Sequence, residues 1–84
     1  MEKYTFHTDA GHGWLEVPRA EVRRLNIEGV ISACSYQRGD LLFLEEDCDA
    51  YKFVQAKKTL GEPVEFVERY VDDSPIRQYR RFGK

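Results

Sequence analysis

Apolar and polar side chains alternate in two short runs at the start of the chain. Tyr4 and Phe6 fall on one face, with Lys3, Thr5 and His7 on the other. Leu15 and Val17 then share a face opposite Trp14 and Glu16. A period of two marks a half-buried strand. Thr8 to Gly13, between the runs, carries two glycines and an aspartate, which is turn chemistry. Together they predict a β-hairpin.

Pro18 follows at a position that suits the first turn of a helix. Val22 and Leu25 recur at helical spacing while Arg19, Arg23 and Arg24 face water. Asn26 suits a left-handed cap, and Ile27 the apolar contact that accompanies one. Val30 to Gln37 predicts a strand and Arg38-Gly39-Asp40 a tight turn. Leu41 to Leu44 is apolar on both faces, as in a central strand covered on both sides. Ala50 to Leu60 predicts the second helix, with Ala50, Phe53, Val54 and Leu60 as its apolar stripe. Asp47 or Asp49 would cap its start, Lys57 and Lys58 would complement its end, and Gly61 would stop it. Glu62 to Val71 predicts a further strand, with Pro63 where a strand tolerates proline. A turn at 72–75 leads to an extended or short helical tail. The order β-β-α-β-β-α-β predicts a single α+β domain over residues 1–84. Two short helices would cover a mostly antiparallel sheet of about five strands.

Composition narrows the function classes. The chain has 84 residues, 42% hydrophobic and 33% charged, with a net charge of −2. Such a balance excludes the general cationic field of a nonspecific nucleic-acid binder, though not a local patch. No apolar run exceeds Leu41 to Leu44, so neither a membrane-spanning helix nor a signal-peptide core is expected. The expected setting is a reducing cytoplasm in which Cys34 and Cys48 stay free thiols. Cys34, among small and apolar neighbours, reads as partly buried. Cys48 lies between Asp47 and Asp49, whose charges raise a thiol's pKa and weaken it as a nucleophile.

Four groups of residues invite a chemical reading. His7, Asp9 and His12 beside one hairpin turn could ligate a transition metal, with Cys34, Cys48 or Asp47 completing the shell. The spacing H-x-D-x-x-H matches no zinc signature, and the glycines around His12 already mark a tight turn. Cysteine, histidine and aspartate combine on paper into a nucleophilic set, yet no activated-cysteine signature surrounds either thiol. The expectation is therefore no catalysis, no cofactor and no bound metal. The acidic residues Asp40, Glu45, Glu46, Asp47 and Asp49 fit a basic partner or, more plainly, the positive end of a helix. The basic tail of Arg77, Arg80, Arg81 and Lys84, interleaved with Tyr79 and Phe82, suits phosphate contact and base stacking, or an edge strand with its arginines in water.

Three segments carry a resemblance: residues 5–18, residues 31–40, and Leu44-Glu45-Glu46-Asp47-Cys48-Asp49. With Ser74 to Arg77, they resemble a family of short uncharacterised proteins encoded by bacteriophages, plasmids and other bacterial mobile elements. The chain departs from that pattern at Cys34, where a non-thiol residue is more usual. No functional residue carries over. The resemblance implies an accessory protein of the bacterial cytoplasm that binds a host protein, for example as an inhibitor of a defence system. A nucleic-acid-binding accessory and a small metal-dependent enzyme are the alternatives. For partner binding, His7, Asp9, His12 and Trp14 stand out. Trp14 sits opposite the core-facing Leu15, where an open sheet face would make it an exposed anchor and a covered one would make it core.

Overall fold

Strand β1 (Glu2–Thr8) pairs antiparallel with β2 (Gly13–Pro18), Phe6 opposite Leu15 and Thr8 opposite Gly13, in a computed structural model that describes residues 2–83. A Cβ at Gly13 would lie 2.8 Å from the Phe6 ring, so the hairpin closes only on glycine. Helix α1 (Arg19–Arg24) follows at once and ends as its residues predict. Asn26 has φ 57°, its amide donates to the Arg23 carbonyl, and the Ile27 amide donates to that of Val22. Those two bonds are the Schellman arrangement, and Ile27 packs on the core beside it.

Strands β3 (Tyr36–Arg38) and β4 (Leu41–Glu45) are joined by two residues. The first, Gly39, has the positive φ that such a turn demands. Helix α2 (Ala50–Thr59), β5 (Val64–Tyr70) and β6 (Arg80–Arg81) complete the regular elements. One sheet takes in all six strands, in the order β5-β1-β2-β4-β3-β6.

The sheet is mixed rather than mostly antiparallel, and it has six strands rather than five. Helix α2 carries the chain back from the end of β4, so β5 enters in the same direction as β4 and lies parallel to β1. The sixth strand is a two-residue piece of the basic tail, paired with β3.

Three local expectations are corrected. Of the expected 30–37 strand only Tyr36 and Gln37 are in the sheet, within β3, preceded by a 3₁₀ turn at Glu28–Val30 and a loop. That loop wraps the buried Asp49 carboxylate, which accepts from the Ser32 amide and from the hydroxyls of Ser32 and Ser35. Asp49 holds the N-cap position of α2 but makes no side-chain cap bond, because its oxygens are spent on the serines and on Lys52. Leu60 is exposed, since the helix stops at Thr59 and Gly61 turns the chain away at φ 70°.

Lys57 stands in the last turn of α2 as expected, and it is also buried. It falls on the same helical stripe as Ala50 and Phe53 and is fully buried instead of reaching water. Its ammonium lies 3.0 Å from Glu62 and 3.2 Å from Glu21, over the Tyr4 ring. Burial alone would push this lysine down, but the contacts to Tyr4, Glu62 and Glu21 outweigh it and hold the group charged above the ordinary range. Glu62 in turn is drawn down to about 2, by Arg24 first and Lys57 second. The cap of α2 explains the pairing. The Glu62 amide donates to the Lys57 carbonyl, so an ion pair stands where that motif usually has an apolar contact.

Two cores result. Tyr4, Leu15, Val17, Val22, Leu42, Leu44 and Phe53 fill the space between the sheet and the helices, with Tyr4 and Phe53 edge to face at 5.2 Å. On the opposite face Trp14, Phe43 and Ile76 form a second cluster, flanked by Tyr36, Leu41 and Tyr79. A 3₁₀ turn at Pro75–Gln78, capped by Ser74, lays Ile76 across that face. As expected, β4 is therefore covered on both sides.

Candidate functional site

The hairpin residues do not share one surface. His7 points to the second face, where its Nε2 meets Glu16 Oε1 at 2.7 Å. Asp9 accepts from the amides of Gly11 and His12 through one oxygen and takes a two-pronged contact from Arg77 at 2.7 and 3.0 Å. The Arg77 guanidinium, aided by those amides, holds its carboxyl far below the usual range. Trp14 is 2% exposed, under Ile76 and with the Arg77 guanidinium 5.3 Å above its ring. The exposed-anchor reading of Trp14 thus fails, because the 3₁₀ turn at Pro75–Gln78 folds across the face it points to.

His12 alone keeps an open ring, and it stands beside a different set of groups. A cleft of about 340 Å³ is bordered by His12, Trp14, Cys34, Glu45, Asp47 and Cys48. Register brings them together: Trp14 pairs with Glu45, and the Glu46 amide donates to the Gly13 carbonyl. Ligand atoms of His12, Glu45 and Asp47 lie within 4.8 Å of one another. His7 and Asp9 do not belong to this group. Glu45 Oε1 accepts from the Asp47 and Cys48 amides, which pins the carboxylate against the turn after β4. Among the described residues its Oε2 is buried without a hydrogen-bond partner, as is the Trp14 indole nitrogen.

Both cysteines are free thiols. Cys34 is exposed rather than partly buried, because the loop before β3 leaves the sheet. The Cys48 thiol is pushed up to about 12, first by its hydrogen bond to Cys34 and then by Glu45. The direction matches the sequence reading, but the cause is these two partners rather than Asp47 and Asp49.

The two charged segments are partly tied into the fold. Of the acidic residues, Glu45 and Asp49 point inward while Asp40, Glu46 and Asp47 stay in water. In the tail, Arg77 is held by Asp9, and Arg81 donates to the Ala33 carbonyl and lies over the Tyr36 ring. Tyr79 packs against the second core and Phe82 against the helix-side core, each only partly buried. Arg80 lies in β6, and Lys84 is outside the described residues.

Exposed apolar groups gather elsewhere, on a part of the chain that the sequence reading left without a role. Phe66, Val67, Tyr70 and Val71 on and beside β5 are exposed, as are Tyr51 and Leu60 at the two ends of α2. The Phe66 ring separates two shallow grooves between α2 and β5. One, of about 490 Å³, is lined by Val54, Pro63 and Val64, and the other, of about 330 Å³, by Phe6, Leu15 and Tyr51. Among the described residues, strand β5 has β1 on one side and nothing in the sheet on the other. Comparison with known protein families, with curated proteins and with solved structures finds no match to the chain.

Proposed function

We propose that the protein is a non-catalytic binding module that captures a partner protein by accepting an extended strand along the open edge of β5. One observation carries this reading. Phe66, Val67 and Tyr70, each half-exposed or more, lie along an unpaired edge strand of seven residues. An exposed, apolar strand edge is a template for pairing with another chain, and proteins without such a partner usually blunt it.

The ladder defines what would fit. The Val71 amide donates to the Thr8 carbonyl, so residues 65, 67, 69 and 71 turn their backbone groups toward β1. Residues 64, 66, 68 and 70 then present theirs to the open edge. An antiparallel strand centred opposite Val67 would be favoured by a basic residue opposite Glu65 and an acidic one opposite Arg69, since these are the closely spaced, non-hydrogen-bonded positions. Its apolar side chains would enter the grooves beside Phe66. A second copy of β5 meets the same charge pattern, so self-association competes for this edge. In this reading the chain is an accessory protein of a phage or other mobile element, acting on a host protein in the bacterial cytoplasm.

Glu68→Pro tests it. That substitution removes an amide that faces the open edge and none that pairs with β1, and edge strands tolerate such a proline. Tagged wild-type protein and the variant are each passed over nuclease-treated bacterial lysate. The reading requires a protein captured by the wild type, lost in a variant whose melting temperature is close to the parent's, with new hydrogen-exchange protection at Phe66 and Glu68. Capture that persists in Glu68→Pro, or binding only to DNA or RNA that weakens with salt, overturns it.

A further inference from the structure

We propose that the cleft beside the β1–β2 hairpin binds one divalent transition-metal ion, Zn²⁺ by its chemistry, through His12 Nδ1, Glu45 Oε2 and a carboxylate oxygen of Asp47. The three side chains come from separate places: the loop before β2, the end of β4, and the turn that follows. Strand register and the Glu46–Gly13 backbone bond hold those places together. The site does not depend on the β5 edge.

Two independent features point to an ion. The first is spacing. His12 Nδ1 lies 3.6 Å from Glu45 Oε2, too far for a hydrogen bond. Two ligand atoms on bonds of about 2.0–2.2 Å to one tetrahedral ion lie roughly 3.4 Å apart. The third group is already within 4.8 Å of both. The second feature is an unmet need. Glu45 is 7% exposed, and its Oε1 is satisfied by two amides while Oε2 has no hydrogen bond. A buried carboxylate oxygen left bare is costly, and a cation there would satisfy it. Trp14, whose buried N–H is equally without a hydrogen-bond partner among the described residues, borders the same cleft.

The donor set selects the metal class. One imidazole and two carboxylates, with Cys34 and Cys48 bordering the same cleft, suit Zn²⁺. Ca²⁺ and Mg²⁺ prefer shells built of oxygen alone and with more members.

The test uses the full untagged chain, stripped of metal and titrated calorimetrically with Zn²⁺, and with Co²⁺ as a spectroscopic substitute. One equivalent should bind, Co²⁺ should show a tetrahedral spectrum, and a large excess of Ca²⁺ or Mg²⁺ should not compete. His12→Ala and Asp47→Asn change exposed side chains, so the fold is not at stake. Each should weaken Zn²⁺ by about tenfold or more. Glu45→Gln keeps the acceptor for the two amides and should abolish stoichiometric binding. Absence of stoichiometric binding overturns the site. So does Zn²⁺ affinity unchanged in both His12→Ala and Asp47→Asn, or equal affinity for Ca²⁺.

Discussion

Trp14 is the only tryptophan, so its fluorescence reports one position without ambiguity. Its ring is sealed by Phe43 and Ile76, with Tyr36 edge-on at 6.3 Å and Arg77 above it. Replacing a buried tryptophan by alanine costs about 3–5 kcal/mol through lost transfer energy and the cavity left behind. A chain of this length has roughly 4–13 kcal/mol of stability in total. For a domain of this size each kcal/mol moves the melting temperature by about 4–8 °C, so Trp14→Ala should melt roughly 15–30 °C below the parent. Trp14→Phe, which keeps an apolar ring in the same space, should lose much less. In the parent, emission should be blue-shifted and shielded from iodide. Red-shifted, readily quenched emission, together with a Trp14→Ala melt within a few degrees of the parent, would falsify the second core and reopen this face as a docking surface.

Three further outcomes follow from the same geometry. Phe53→Ala, which empties the centre of the helix-side core, should cost on the order of 3 kcal/mol by urea titration; a loss under about 1 kcal/mol would remove Phe53 from that role. Asp49→Asn puts an amide NH₂ among the serine and lysine donors that the carboxylate now accepts, and should cost about 3 kcal/mol while broadening NMR signals from Ser32 to Ser35. Glu62 lies near 2 when folded against an ordinary 4.5, so its stabilisation is complete above about pH 5 and fades as pH falls toward 2. Thermal melts of Glu62→Gln should therefore fall below the parent at neutral pH and converge with it near pH 2, and a constant gap across that range would contradict the pairing.

The parts of the fold that rest on local chemistry were legible. Asn26 and Gly61 mark helix ends because a left-handed residue is needed within one turn of each, and the first hairpin follows from strict alternation around two glycines. What failed was set at a distance. The 30–37 stretch looks extended, but its two serines answer to a carboxylate at position 49 that no window around them contains. Lys57 shows the opposite case. Positions 50, 53, 54 and 57 share one helical stripe, so its burial is implicit in the spacing even though lysine usually ends in water. The parallel pairing of β5 was also implicit, since a strand, a helix and a strand in succession return the chain in its original direction. The group His12, Glu45 and Asp47 depends on a register between β2 and β4 that spacing along the chain does not reveal.

Three features that look separate in the sequence meet in one place. The hairpin loop, the acidic stretch and the basic tail converge on the cleft, and the tail is what closes it. Without Ile76 over Trp14, the second face of β2 and β4 would expose Trp14, Leu41 and Phe43 to water, so the tail's first task is burial. Its arginines then have to end somewhere near that face. Arg77 reaches Asp9, whose carboxylate also accepts the His12 amide, so the ion pair fixes the loop that presents the His12 ring. Arg81 reaches the Ala33 carbonyl and braces the loop carrying Cys34 on the opposite wall. Arg77 and Arg81 thereby help to shape a cleft whose own groups are acidic or soft.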